Sequence, residues 1–161
     1  TKLGYNILTN VLTGNADLFQ KQVKSFSLAK EELGKNGRDL TLSVSRAGFI
    51  TTSDADRIKK LELAQNHYAR FDNVFTGPGV VDNGLTRALT PKQSIQELAE
   101  NLLICGPVEM IDRLAPFAES GADQVSLTVN FGASQQEVLE SIQCIAEDVM
   151  PHFVDTTSND S

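Results

Sequence analysis

Apolar residues recur at two spacings along the chain, and each change of spacing marks the start of a new element. Tyr5 to Leu12 is a short, partly β-branched run broken by Asn6 and Asn10 and closed by Thr13-Gly14-Asn15, which predicts a strand and a turn. Leu18, Phe19, Val23, Phe26, Ala29 and Leu33 then recur at three- and four-residue steps. That period predicts a helix, with Asn15 as its cap and Gly34 as its left-handed terminator. The next stretch repeats the order. Leu40 to Ile50 alternates apolar with small polar residues, Thr51-Thr52-Ser53-Asp54 offers a cap and early acids, and Ile58, Leu61, Tyr68, Phe71 and Phe75 carry a helical stripe. Thr76-Gly77-Pro78-Gly79 breaks it.

From Gly77 to Leu89 the composition turns to Gly, Pro, Asn, Asp and Thr, predicting a long loop of about 13 residues, the kind that forms lids or binding segments. Thr90 caps a helix with Pro91 in its first turn, running through Ile95, Leu98, Ala99 and Leu102. Leu103-Ile-Cys-Gly106 either ends that helix or forms a short extended stretch. Pro107 opens another helix, with Met110, Ile111, Leu114, Phe117 and Ala118 on its apolar side and Gly121 at its end. Gln124 to Phe131 is the cleanest alternation in the chain and predicts a strand. Ser134-Gln-Gln-Glu137 is a capping box for a last helix that buries Val138, Ile142, Ile145 and Val149 and stops at Pro151. Residues 155–161 form a loose polar tail.

Strands alternating with helices require a parallel sheet, so the class is α/β. Val125, Leu127, Val129 and Phe131 oppose Gln124, Ser126, Thr128 and Asn130, and Leu40, Leu42 and Val44 oppose Thr41, Ser43 and Ser45. Parallel strands of an open sheet are usually apolar on both faces, so a polar second face favours a barrel interior. No strand is followed by Gly-x-Gly-x-x-Gly, which removes a dinucleotide fingerprint. Three strands with outer helices cannot close a barrel of eight. The remaining strands are then either missing or supplied by a partner, and a start at Thr1 without Met suggests the later part of something longer.

The chain has 161 residues, 40% apolar and 22% charged, which fits one globular domain. Fourteen basic against twenty-one acidic residues give a charge of −7, with the lysines dispersed, so nucleic acid is excluded as a partner. No run approaches the roughly 20 apolar residues of a spanning helix. Cys105 and Cys144 show no metal or disulfide spacing, and with only His67 and His152 besides, no metal centre is expected; a reducing, cytoplasmic setting with two inert thiols is.

Several segments together resemble the C-terminal part of the luciferase-like, flavin-dependent monooxygenases, the group that includes bacterial luciferase. Gly4-Tyr-Asn-Ile-Leu-Thr-Asn-Val-Leu12 is similar to the sixth barrel strand of that family, and Arg46-Ala-Gly-Phe-Ile-Thr-Thr-Ser-Asp54 to the end of the seventh and its helix. Cys105-Gly-Pro-Val-Glu-Met-Ile-Asp-Arg-Leu114, Ser120-Gly-Ala-Asp-Gln-Val and Ser141 to Phe153 carry the likeness furthest. The family commonly has Thr or Ser between Gly and Pro where this chain runs Gly106-Pro107. The resemblance implies that residues 1–154 are the C-terminal part of a (β/α)8 TIM barrel whose N-terminal strands are missing, and it implies reduced flavin, FMN, supplied by a reductase, and O2 used to oxygenate a small organic substrate, in a protein that is dimeric at full length. An inactive luciferase-like scaffold that completes a partner's barrel is the alternative.

Four residues are expected to bind the cofactor. Thr9 and Asn10 stand at the end of the first strand, Arg46 is the only cation within a strand, and Asn130 follows the last. Each has an ordinary structural explanation too: strict alternation puts Arg46 beside Leu42 and Val44 on the helix side unless a bulge near Gly48 changes the phase, and Asn130 before Gly132 is turn chemistry. Arg87 in the long loop is a candidate clamp for an anion. His67 and His152 read as surface or packing residues rather than general bases, and no catalytic side chain is singled out.

Overall fold

The computed structural model describes residues 3–10 and 16–154, so the expected Asn15 cap, the Thr13-Gly14 turn and the 155–161 tail lie outside the described residues. Six strands and five helices follow in the order β1 (Ile7–Asn10), α1 (Ala16–Leu33), β2 (Leu42–Ile50), α2 (Asp54–Phe75), β3 (Val81–Asp82), β4 (Leu85–Thr86), α3 (Ile95–Asn101), β5 (Leu103–Cys105), α4 (Pro107–Glu119), β6 (Gln124–Thr128) and α5 (Gln135–Cys144). The class is α/β, and the main sheet is parallel throughout.

All three other strands of that sheet pair with β2. Residues 42–45 pair with β1 and residues 43–47 with β6, so these two neighbours occupy opposite edges, while Gly48 to Ile50 pair with β5. Of the two readings of Leu103-Ile104-Cys105, the extended one holds: it is a fully buried strand, because three apolar residues in a row suit a position covered on both sides. Polar side chains fix the pairing. Asp123 accepts from Leu42 N at 2.7 Å while its own amide donates to Leu42 O, which locks β6 to β2. The Asn6 carboxamide accepts from Thr41 N and sets β1. At the other end, Ile50 N donates to Ser141 Oγ of α5.

Alternation assigns the two faces to different helices. Leu42 and Val44 meet Phe19, Val23 and Phe26 of α1, the stripe expected of that helix. Ile50, Leu103 and Cys105 pack with Met110 and Leu114 of α4 and with Ile145 and Val149, which follow α5 in a π-helical turn. Phe49 and Ile104, one residue out of phase, meet Leu61 and Ala64 of α2 and Leu98 of α3. Helices therefore cover both faces at the β5 end of the sheet, a departure from the expected layer of outer helices alone, and no closed barrel forms among the described residues. Burial of each such Leu, Ile or Phe is worth about 1.5–3 kcal/mol.

Several boundaries move for identifiable reasons. Helix α3 begins at Ser94, whose hydroxyl accepts from Glu97 N while Glu97 returns to Ser94 N; this capping box displaces the start from Thr90-Pro91. The 77–89 stretch is not a plain loop. Asn83 and Gly84, both at positive φ, make a tight turn between antiparallel β3 and β4. The hairpin is held by the buried Asn73 of α2, whose Nδ2 donates to Val80 O and Arg87 O and whose Oδ1 accepts from Val80 N. Strand β6 ends at Thr128, so Phe131 leaves the Val125–Leu127 face and joins Phe49 on the other side, edge to face at 5.6 Å. Leu18, Ile58, Phe71, Phe75 and Ile142, expected inside, are exposed.

One buried charge escapes any apolar pattern. Lys60 is 1% exposed, its ammonium bonded to Asp56 on α2 and to Glu137 at the first turn of α5, and it lies 5.3 Å from the Phe49 ring centre. Burial works against its proton, but the bonds from Glu137 and Asp56 leave its pKa raised. The Lys60 bond, with those of Ser134, in turn pulls Glu137 down to about 2. A depressed carboxylate stabilises the fold above its unfolded value, near 4.5, and that contribution is lost as pH falls through about 2. Glu137→Gln is expected to flatten the acid limb of the stability curve between those two pH values, measured by urea unfolding across pH.

Candidate functional site

The C-terminal ends of β1 and β6 and the middle of β2 bring small polar side chains into one patch. Asn10 is in register with Ser45, and Thr128 with Ala47, so Asn10, Ser45 and Thr128 come to the same face. Toward the strands' N-terminal ends this face continues through Ser43, Gln124 and Ser126, with Ser43 Oγ donating to Gln124 Oε1 at 3.0 Å. It is partly open to water, as the polar half of the alternation requires.

Across from the patch stands α2. His67, Tyr68 and Phe71 of that helix, with Leu102 and Phe131, border an open cavity of about 150 Å³ whose other side is Asn10, Ser45, Arg46, Ala47 and Thr128; Asn10, His67, Phe71 and Thr128 are exposed at its mouth. Hydroxyl and amide groups thus line one wall and aromatic rings the other, the arrangement that holds a small or planar molecule by its polar edge. His67 and Tyr68 meet edge to face at 5.7 Å. Burial, and then the neighbouring Arg70, hold the His67 imidazole below its ordinary value, so it is neutral at pH 7. Burial pushes the Tyr68 phenol up, against a pull from Arg46.

The four residues expected to bind cofactor separate. Asn10 and Arg46 border the cavity; Thr9 and Asn130 do not. Thr9 faces α1, where its hydroxyl donates to Gln22 Oε1 at 2.9 Å, because position 9 lies on the helix side with Ile7. The Asn130 side chain accepts from Gly132 N, the turn chemistry that an Asn two residues before Gly suggests. Arg46 keeps strict phase with Leu42 and Val44, without a bulge at Gly48. Its guanidinium donates to Asn101 O and lies 5.5 Å from the Phe117 ring centre. Arg113 reaches Ala99 O and Glu100 O beside it, so two arginines hold the carbonyls that end α3. Burial lowers the Arg46 pKa, with Tyr68 opposing and Arg113 adding to the fall.

Residues outside the expected set complete the site. His67, read as a surface or packing residue, is exposed as well as bordering the cavity, which Tyr68, Phe71 and Phe131 border too. Their signal was present in the sequence as a polar and aromatic stretch on one helix, but only the packing of α2 over Ala47 and Phe49 turns that stretch toward the strand ends. Arg87 stays exposed on the hairpin and does not line the cavity. His152 is exposed too. No group of three or more His, Cys, Asp or Glu side chains among the described residues is arranged to hold a metal ion. No helix of the described residues is long and apolar enough to cross a membrane.

Arg46→Ala is expected to lower stability by about 2–3 kcal/mol in urea unfolding, through the lost charged hydrogen bond and ring contact. The thiols offer a second check. Burial, with Glu109 adding, pushes Cys105 up to about 11, and burial with the Asp148 contact does the same for Cys144. Both should react with a disulfide reagent at pH 8 about a hundredfold more slowly in the folded chain than in urea.

No protein-family model matches this chain, and no curated protein matches it.

Proposed function

We propose that the chain forms the flavin- and substrate-holding end of a luciferase-like, flavin-dependent monooxygenase, as the C-terminal part of a (β/α)8 barrel. The observation that supports this reading is the meeting of Asn10, Ser45 and Thr128 with Tyr68, Phe71 and Phe131 at the C-terminal ends of parallel strands. Ligand sites of parallel α/β folds lie at that end. One amide and two hydroxyls can bond the polar edge of a planar ring such as that of FMN beside aromatic faces, and the cavity of about 150 Å³ takes one end of such a ring. Bound reduced FMN supplies the electrons with which O2 is activated for transfer of oxygen to a small organic substrate.

The chain's own groups have narrower tasks. Asn10, Ser45 and Thr128 orient the ring edge, Phe71 offers its face to it, and the buried Phe131 keeps water from the inner end. His67, neutral at pH 7, can accept a proton at the cavity mouth. No side chain is required as a nucleophile.

One observation favours the alternative of a scaffold that completes another subunit's barrel. An apolar groove of about 340 Å³ runs between α4, β6 and the end of the last helix, lined by Leu127, Ile145, Met150, Phe153 and Val154 among others. Such a surface suits a packed neighbour better than water.

Titrating FMN against the chain and following flavin fluorescence is expected to give saturable quenching. Asn10→Ala and Ser45→Ala should each weaken it about 3- to 10-fold, one hydrogen bond's worth, with unchanged far-ultraviolet circular dichroism. Absence of quenching overturns the flavin reading. A stable dimer by sedimentation without flavin binding supports the scaffold instead.

A further inference from the structure

Charge is divided unevenly along the chain. Residues 1–113 carry fourteen basic and thirteen acidic side chains, whereas residues 114–161 carry eight acidic ones and no lysine or arginine. An even spread would place about four of the fourteen cations in that last stretch. The net charge of −7 therefore comes entirely from the end of α4, from β6 and α5, and from the residues after them. Little of it is neutralised from elsewhere: of the acids in that stretch, Glu137 is the one that meets cations, Lys59 and Lys60, among the described residues.

The same stretch builds the apolar groove of about 340 Å³. Phe117 of α4 stands on one side of it and Val149 and Phe153 of the last helical turns on the other, while Val125 and Leu127 of β6, each only half-buried, lie between them. Two helices with an incompletely covered strand between them leave a place for a third, because the apolar face of a sheet is buried by a layer of helices. Met150, 52% exposed at the mouth, has the unbranched side chain that adapts to whatever enters. Acids surround this apolar floor. Asp123 lines the groove, and the exposed Glu119 and Asp148 adjoin its lining residues Ala118 and Val149.

We infer that the groove binds a basic amphipathic helix of another protein, its apolar side chains entering between Phe117 and Phe153 at three- and four-residue spacing and its lysines or arginines turned to Glu119, Asp123 and Asp148. The charge of the rim selects this occupant. An anionic lipid surface is repelled by it. Residues 155–161 follow Val154 directly but add two acids and no apolar side chain, so they match the groove in neither respect. Opposite charge steers the partner to the rim and apolar burial holds it there. The inference rests on the scaffold reading in taking the groove as covered by a neighbour, and it states what that neighbour presents; it makes no use of the cavity proposed for flavin.

The test uses two short peptides, one of leucine and lysine and one of leucine and glutamate, each ordered so that the leucines share one helical face. Titrated into the full chain and followed by nuclear magnetic resonance, the lysine peptide is expected to shift the Val125, Leu127, Val149 and Phe153 amides, to bind about tenfold more tightly than the glutamate peptide, and to weaken as salt is raised. Glu119→Lys combined with Asp148→Lys, both at exposed positions, should reverse the order of the two peptides, an outcome that loss of fold does not produce. Met150→Arg should weaken the lysine peptide about tenfold with unchanged far-ultraviolet circular dichroism. Equal binding of the two peptides, or shifts confined to residues outside the groove, overturns the inference. Shifts of the same amides on raising the concentration of the chain alone make the occupant a second copy, which overturns the inference and keeps the scaffold reading. A groove that takes neither peptide nor a second copy removes both.

Discussion

Everything in the main sheet depends on β2 having enough length to serve three partners. A strand has two edges, and β1 and β6 take both along residues 43–45. Space for β5 exists only because β2 continues for nine residues and offers Gly48 to Ile50 beyond them. Gly48 stands at that junction. A Cβ there would come within 3.3 Å of Leu127 Cδ2 and 3.4 Å of Leu103 Cβ, so the absence of a side chain lets Leu127 and Leu103 close over the backbone. The same length carries the change of covering layer, from α1 over Leu42 and Val44 to α2 and α4 on opposite sides of Phe49 and Ile50.

The cavity follows from that change. Where the sheet is covered on one face only, the other remains polar and wet; where α2 begins to cover it, serine and threonine give way to Ala47 and Phe49. The line between the two regimes is where polar strand ends and aromatic helix residues meet. Arg46, one residue out of phase, serves the opposite side of the sheet, tying β2 to the end of α3. Its charge still reaches Tyr68 through the low-dielectric interior. One arginine thus contributes to folding through its hydrogen bonds and to the site through its field.

Local signals in the sequence were sufficient for elements whose information is local. The α1 stripe from Phe19 onward, the Ser134 capping box, the Gly34 terminator with φ 55° and the alternation that turns Arg46 to the helix side are all read correctly from spacing. Short elements were harder. Leu103–Cys105 has three residues and no period to detect, and Asn83-Gly84 makes its turn between strands of two residues each. Position 9 looked like a site residue because it ends a strand, yet its side-chain direction is set by pairing with Val44. Lys60 and Asn73 carry no apolar signal at all; their burial is decided by partners 77 and 7 to 14 residues away. The cavity shares that origin, since its two walls come from elements whose mutual packing no single window of sequence contains.

Helix α2 spans 22 residues, about 33 Å at the rise of an α-helix, and it is fastened near both ends. Lys60 and Arg57 join its early turns to Glu137 and Glu109, and Asn73 and Asp72 join its last turn to the hairpin and to Lys92. His67, Tyr68 and Phe71 lie between these fastenings. A rod supported at both ends resists swinging, so the aromatic wall has no hinge about which to lift away. The opening of the cavity is then set by the Ser43–Ser126 side of the sheet, which the described helices leave exposed.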